Sequence, residues 1–161
     1  MKKEINLNAV IEVYEKVEDL PAADQNLLHR AKQALPTAFA PYSGFQVSAA
    51  VLLSNGEILV GTNHENAAYP MCLCAERTAL AAAHAQFPGV PVQALAITVK
   101  SKNRVIDEPA SPCGACRQVI CETEHRYKTP IQLILQGETG IIYKLKSGKD
   151  LLPLAFDGDF L

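Results

Sequence analysis

The sequence predicts an α/β domain in which helices pack in layers against a mixed sheet. Strand-like runs alternate with helical runs along the chain, the element order typical of this fold class. Two strand runs are joined by a turn containing Asn55-Gly56, which is a strong hairpin signal. Two others, 93–99 and 131–136, are separated by a whole helix and should therefore be parallel. With 161 residues, 48% of them hydrophobic, we expect a single domain over 1–161.

The N-terminal third is predicted to contain a strand, a helix and the hairpin. Apolar residues alternate over 4–14, which predicts a half-buried strand, although a short helix also fits. Leucines and alanines at three- and four-residue spacing predict an amphipathic helix from Pro21 to about Ala38, disturbed at Pro36. The two hairpin strands then occupy 45–53 and 57–61.

The remaining chain alternates helices and strands. An alanine-rich run predicts a helix over 74–86, which the following prolines and glycine end. After it we expect a strand at 93–99, a charged loop at 101–112, a helix at 114–126, and strands at 131–136 and 141–146.

Composition and charge exclude several classes of function. A net charge of −2 and a pI near 6.1 give no general attraction to nucleic acid or to an anionic membrane, so a small-molecule substrate is expected. The chain shows no apolar run long enough for a secretory signal or a membrane span, which predicts a cytoplasmic protein. Five cysteines, an odd number, then indicate metal-binding or catalytic thiols rather than a disulfide framework.

Two groups of cysteines have the spacing of metal ligands. Cys113 and Cys116 lie two residues apart at a predicted helix start, a spacing that can chelate one Zn²⁺. Cys72 and Cys74 can complete the site in two ways. If both bind, the four sulfurs form a closed structural site; if only one binds, a fourth position stays open to water, whose pKa the metal lowers toward about 7.

Glu76 favours the open site. On an alanine-rich helix a lone glutamate is usually solvated, but a carboxylate two residues from a metal ligand suits the transfer of a water's protons. Residues two apart on a regular helix face different sides, so the geometry works best if Cys74 lies at the first residues of the helix. Cys72 would then lie in the preceding loop, away from the metal.

These residues match the zinc nucleoside and nucleobase deaminase signature H-x-E with P-C-x-x-C, with a cysteine in place of the histidine. In the form CAERTA and PCGACRQ, together with APYSGFQV and NHENAAYPM, the sequence closely resembles the cytidine deaminases of the small homotetrameric type. The resemblance implies a three-layer α/β/α cytidine deaminase-like fold, with a mixed sheet of about five strands and an extra N-terminal strand.

The same resemblance assigns roles to the site. It implies one Zn²⁺ per subunit, held by Cys74, Cys113 and Cys116, with Glu76 as the proton shuttle in hydrolytic deamination of cytidine and 2′-deoxycytidine, as in pyrimidine salvage. Three thiolates leave a net negative site, and Arg77 with the two helix N-termini is expected to offset that charge. A surface salt bridge is the other role open to Arg77.

Substrate contacts also follow from the resemblance. It implies that Asn63 and Glu65 hold the ribose, that Phe45 packs against the base and that the backbone of Ala75 contacts it. It further implies a homotetramer in which each site receives residues of a neighbouring subunit, namely Ala67, Tyr69 and Phe156. Taken alone, Phe45 would be as typical of a strand core, and Asn63 and Glu65 of a turn.

Parts of the chain depart from the family pattern, and rival functions stay open. Residues 1–20 form an N-terminal extension whose alternation suggests an added edge strand or an interface element. The tail after Phe156 differs from the family, which weakens the expected contact with a neighbour. The rival functions are deamination of another aminated nucleoside, such as blasticidin S, and a non-catalytic domain with a closed four-cysteine zinc site.

Overall fold

A computed structural model describes all residues, 1–161, and contains one six-stranded sheet with three α-helices. The strands are β1 (Glu12–Tyr14), β2 (Phe45–Leu53), β3 (Ile58–Thr62), β4 (Val92–Ser101), β5 (Gln132–Gln136) and β6 (Ile142–Leu145). The helices are α1 (Ala22–Ala34), α2 (Ala75–Gln86) and α3 (Gly114–Tyr127). None of the helices combines the length and the apolar character that a membrane-spanning segment needs.

The sheet is mixed, in the order β1-β6-β5-β4-β2-β3. The predicted hairpin is confirmed: β2 and β3 are antiparallel, and Gly56 in their turn has a φ of +88°, which a glycine adopts without steric cost. The prediction of parallel strands is also confirmed, because β4 and β5 run parallel on either side of α3 in sequence. All other neighbouring strands are antiparallel.

Helices cover both faces of the sheet, which confirms the predicted three layers. Successive residues of β4 point to opposite faces, so Ala96 belongs to the core beneath α1, whereas Ile97 belongs to the core beneath α2 and α3. The first core includes Leu27 and Leu28 of α1, and the second includes Ile120 of α3. All five side chains are at most 1% exposed, so each helix is fixed to the sheet by close packing.

Two N-terminal predictions need correction. The strand predicted over 4–14 is wrong for most of its length, since only Glu12–Tyr14 is a strand. These three residues pair with β6, which ends at Leu145, so the chain before them has no neighbouring strand to accept its backbone hydrogen bonds. The helix predicted to reach Ala38 ends at Ala34, and Pro36 lies in the 3₁₀ turn Leu35–Thr37 that follows.

Candidate active site

Two helix N-termini bring the candidate metal ligands together. Cys74 is the N-cap of α2 and Cys113 the N-cap of α3, both with extended backbone, while Cys116 lies in the first turn of α3. Neither cap sulfur hydrogen-bonds a backbone N–H of its helix, so both thiols face outward from the helix start. The partial positive charge at both helix N-termini stabilises thiolates at these positions.

The sulfurs of these three cysteines have the spacing of a metal site. They all lie within 4.8 Å of one another, with Sγ of Cys113 3.9 Å from Sγ of Cys74 and 3.4 Å from Sγ of Cys116. Tetrahedral zinc with bonds of about 2.3 Å separates its sulfurs by about 3.8 Å. The three thiols therefore fit Zn²⁺. Cys113 is exposed and Cys116 is buried, so the cluster is open to solvent on one side only.

Cys72 lies outside this cluster. Its sulfur accepts a hydrogen bond from the backbone N–H of Asn66 at 3.2 Å, and its carbonyl accepts one from Arg77 at 3.1 Å. Cys72 ends the 3₁₀ turn Tyr69–Met71, before α2 begins. The loop therefore directs its thiol toward Asn66, and the closed four-sulfur site is not formed.

Glu76 is buried beside the sulfur cluster. Its side chain is 5% exposed and lines a cavity of about 290 Å³. Burial raises the pKa of its carboxyl above the usual range; the negative charge of Cys74 adds to the rise, and a hydrogen bond from Cys116 opposes it. Because Cys74 is the N-cap rather than a residue within α2, both groups can face the same cavity although they are only two positions apart.

Arg77 places a cation against the sulfurs. Its Nη2 donates to Sγ of Cys74 at 3.8 Å as well as to the carbonyl of Cys72. A hydrogen bond from Cys116, followed by that from Arg77, lowers the pKa of the Cys74 thiol to about 5, while the pKa of Cys116 is raised by its hydrogen bond with Cys74 and by burial. One of the three sulfurs is thus readily ionised even without a metal. Nε of Arg77 is buried without a hydrogen-bond partner.

The cavity joins the sulfurs to the predicted substrate residues. Its 14 lining residues include the predicted Phe45, Asn63, Glu65, Cys74, Ala75, Glu76 and Cys113. It also includes residues that the sequence did not single out, namely Val47, Leu73, Ile97, Val99 and Ser111, together with Ala110, the last residue of the loop segment 101–110, whose position before Cys113 suggested that it borders the pocket. Ala110 and Ser111 shortly precede Cys113, and this adjacency was the available signal. A larger cavity of about 440 Å³ between α2 and α3 contains none of the three clustered cysteines, so the smaller one is the candidate site.

Asn63 and Glu65 are held by the chain around the start of β2. The amide of Asn63 accepts from the backbone N–H of Val47 at 2.8 Å and donates to the carbonyl of Phe45 at 2.9 Å. The carboxylate of Glu65 accepts from the hydroxyl and backbone N–H of Ser43 and from the backbone N–H of Tyr42, and the Ser43 hydroxyl bond is the main cause of its lowered pKa. Both side chains are therefore oriented before any ligand binds.

The three residues expected to serve a neighbouring subunit do not line this cavity. Ala67 is exposed, and the side chains of Tyr69 and Phe156 are 70% and 57% exposed. Phe156 stacks on Phe160 with ring centroids 5.5 Å apart, and its carbonyl accepts a hydrogen bond from Gln118. Within one chain, these residues are thus available for contacts outside it.

Comparison with known proteins agrees with the fold and the cysteine cluster. A family model described as "Cytidine and deoxycytidylate deaminase zinc-binding region" matches residues 21–130, a span that contains all three clustered cysteines. Curated cytidine deaminases of Halalkalibacterium halodurans and Sporosarcina psychrophila are 45% and 46% identical over 98 and 99 residues, which is 61% of this chain in both cases and 70% and 68% of theirs.

A solved structure supports the same assignment. The crystal structure of cytidine deaminase from Burkholderia pseudomallei is 41% identical, with a TM-score of 0.71, over 81% of this chain and 97% of that one. The matching family model covers more than half of the chain, and its description as a zinc-binding region fits the open three-sulfur cluster beside Glu76. The chain therefore belongs to the cytidine and deoxycytidylate deaminase family.

Proposed function

We propose that this protein hydrolyses cytidine and 2′-deoxycytidine to uridine and 2′-deoxyuridine, with release of ammonia. The observation that carries the proposal is the cluster of three thiols next to the buried carboxyl of Glu76, at one cavity of about 290 Å³. The named relatives, which are cytidine deaminases, support the same reaction. We also propose that residues 1–161 form a single catalytic domain.

The thiols of Cys74, Cys113 and Cys116 would hold one Zn²⁺. When bound, Zn²⁺ supplies a water of lowered pKa, near about 7, as the nucleophile for C4 of the cytosine ring. Glu76 would take a proton from the attacking water and deliver it to N3; it would then take the remaining proton from the hydroxyl now on C4 and pass it to the amino group, so that the C4–N bond breaks and ammonia leaves. A carboxyl whose pKa is raised by burial suits this exchange, because it must accept and release a proton within one turnover.

Charge balance is assigned to Arg77. Three thiolates carry more negative charge than Zn²⁺ neutralises, which would make the water harder to ionise. The guanidinium of Arg77, 3.8 Å from Sγ of Cys74, and the N-termini of α2 and α3 supply compensating positive charge. Phe45 packs on the base, the backbone of Ala75 contacts it, and Asn63 and Glu65 hold the sugar hydroxyls, which donate hydrogen bonds to the carboxylate of Glu65.

A nucleoside fits the cavity better than a nucleotide. None of its 14 lining residues is a lysine, arginine or histidine, so the chain offers no cation to a 5′-phosphate there. The carboxylate of Glu65, whose pKa is lowered, would instead repel a phosphate. We therefore assign cytidine and deoxycytidine, rather than deoxycytidylate, as substrates.

Assembly completes the proposal. We propose a homotetramer in the cytoplasm, in which Ala67, Tyr69 and Phe156 of one subunit reach a neighbour's cavity. The exposure of Tyr69 and Phe156 in the single chain supports this arrangement. The proposed physiological role is pyrimidine salvage.

The test is an ultraviolet absorbance assay of the purified protein with cytidine, deoxycytidine, deoxycytidylate and blasticidin S in parallel. We expect turnover of both nucleosides, at least about tenfold weaker turnover of deoxycytidylate, and loss of activity after chelation that added Zn²⁺ restores. Turnover of neither nucleoside would contradict the proposed function. Turnover of deoxycytidylate equal to that of deoxycytidine would contradict only the assignment of nucleosides.

A further inference from the structure

The N-terminal segment, defined as residues 3–15, presents an apolar face that the single chain leaves largely exposed, although Leu7 and Ala9 line a cleft with Lys149, Asp150 and Pro153. Its odd-numbered positions include five apolar residues, namely Ile5, Leu7, Ala9, Ile11 and Val13. All five are exposed, with exposed fractions of 85% for Ile5, 56% for Leu7 and 54% for Val13. Alternation of this kind, interrupted here only by Val10, is typical of a strand that buries one face, so the pattern favours a neighbour that the isolated chain does not provide.

The segment continues directly into the edge strand of the sheet. β1 pairs with β6 on one side, and no strand lies on its other side, so a row of backbone donors and acceptors faces outward. Tyr14 packs beneath α1, whereas Val13 points to the opposite face. The odd-numbered residues therefore extend the α2 and α3 face of the sheet beyond its last strand.

We propose that two copies of this chain associate by antiparallel pairing of their N-terminal segments, with Ala9 opposite Ala9 on the twofold axis. An antiparallel pair of identical strands satisfies both outward backbone rows with one symmetric contact. The two sheets then form one continuous twelve-stranded sheet, because each contributes the six strands of a single chain.

This register brings every apolar residue of the segment opposite another one. Ile5 lies opposite Val13 and Leu7 opposite Ile11, on one face. At the ends of the same face Lys3 lies opposite Glu15, which adds an attractive charge pair at each end of the ribbon. A second copy of the same segment therefore matches both the apolar residues and the charges of the first.

Neighbouring registers leave part of the apolar face unmatched: a shift by two residues places Lys3 opposite Val13 in one direction and Ile5 opposite Glu15 in the other. Moving one strand by two residues in one direction places Glu4 opposite Glu12, and like charges directly opposite each other are destabilising. Moving it further the same way places Lys3 opposite Ile11 and breaks up the apolar face. A shift by one residue would place at least three of the five apolar side chains opposite polar ones.

The test uses thiol crosslinking in the full-length protein. Directly opposite Cα atoms in an antiparallel pair are about 4.5–5.5 Å apart, within the range that a disulfide can span. We expect Ala9→Cys to form a covalent dimer on mild oxidation at least about tenfold faster than the matched control Val10→Cys. Two Val10 Cα atoms would be about 8 Å apart in this register, beyond the reach of a disulfide. The wild-type chain, with its own five cysteines, gives the background.

A second substitution tests whether the apolar face holds the pair together. Leu7→Asp added to Ala9→Cys should reduce crosslinking to the wild-type background, whereas Asn8→Asp on the other face should not. Equal rates for Ala9→Cys and Val10→Cys, or a crosslink that survives Leu7→Asp, would overturn the proposal and point to chance collisions. Limited proteolysis of the wild-type protein gives an independent check. If the N-terminal segment resists the protease but Ala9→Cys does not crosslink, something other than a second copy of the segment covers it, and the proposal is overturned. In the crosslinking test, the measured quantity is the fraction of covalent dimer on a non-reducing gel, so the result does not depend on whether the protein is an active deaminase.

Discussion

At the scale of single residues, a substitution of Glu76 can distinguish metal binding from proton transfer. Glu76→Gln preserves the size of the side chain but cannot carry a proton between water and base. We expect kcat for cytidine to fall by about 10²–10⁴-fold, the usual contribution of a positioned acid or base. The zinc content should stay the same, since the sulfur cluster is formed by the three cysteines. Steady-state kinetics with metal analysis measure both, and a kcat within tenfold of wild type would exclude the shuttle role.

The two thiols of the sequence Cys72-Leu73-Cys74 should respond differently to the same substitution. Cys74→Ser removes one of the three clustered sulfurs, so we expect a large loss of bound zinc. Cys72→Ser removes a sulfur that lies outside the cluster and hydrogen-bonds only the backbone of Asn66, so zinc should remain at about one ion per subunit. The metal content of the two purified variants, measured side by side, checks the assignment. Loss of zinc from Cys72→Ser would instead support the closed four-cysteine site.

At the scale of elements, Gly61 in β3 fixes how closely α2 approaches the sheet. A Cβ at this position would contact the backbone N of Ala79 and lie 2.6 Å from the carbonyl oxygen of Ala75, both within α2. Backbone atoms of a helix cannot move away individually, so a larger residue displaces the helix that carries Glu76. The absence of a side chain at Gly61 therefore supports the geometry of the active site.

Gly61→Ala is accordingly expected to lower the free energy of unfolding by about 1–3 kcal/mol, the usual cost of overpacking. Denaturant unfolding measures this change. The matched control is Gly114→Ala, at the first residue of α3, where an added Cβ meets no atom within 4 Å and helix propensity favours alanine. Equal destabilisation by both substitutions would show that close packing at Gly61 is not the cause.

Elements also show where pattern recognition succeeds and where it fails. The parallel pair β4 and β5 was predictable because α3 separates them in sequence, and such connections join parallel strands. The strand predicted over 4–14 was shortened to Glu12–Tyr14, because periodicity describes the side chains and not the presence of a hydrogen-bonding neighbour.

At the scale of the whole molecule, a largely buried ion pair connects the first helix to β6, the strand next to one edge of the sheet. Nζ of Lys144 in β6 lies 2.6 Å from Oδ2 of Asp24 in α1, and Gln132 of β5 donates to the other carboxylate oxygen at 2.9 Å. The side chains of Lys144 and Asp24 are only 13% and 9% exposed. The pair thus links residues separated by 120 positions in sequence.

Removing one partner should cost more than removing both. Asp24→Leu leaves the charge of Lys144 without its partner, so we expect a loss of about 3–5 kcal/mol in the free energy of unfolding. Asp24→Leu combined with Lys144→Met removes both charges and should be destabilised by less than Asp24→Leu alone, and hence by less than the sum of the two single changes. Denaturant unfolding of the three variants forms a double-mutant cycle, and additive effects would show that the pair is not coupled.

The sequence by itself determined the α/β alternation, the hairpin and the set of cysteines and acid with the spacing of a deaminase site. These features can be predicted because each depends on residue types and on the spacing of residues that are close together in the sequence. The tertiary structure alone decided that the thiol of Cys72 contacts Asn66, that Asn63 and Glu65 are oriented by residues 42–47, and that Ile97 and Val99 line the cavity. Such contacts join residues distant in sequence, and they exist only after the two helix N-termini have been packed against one face of the sheet.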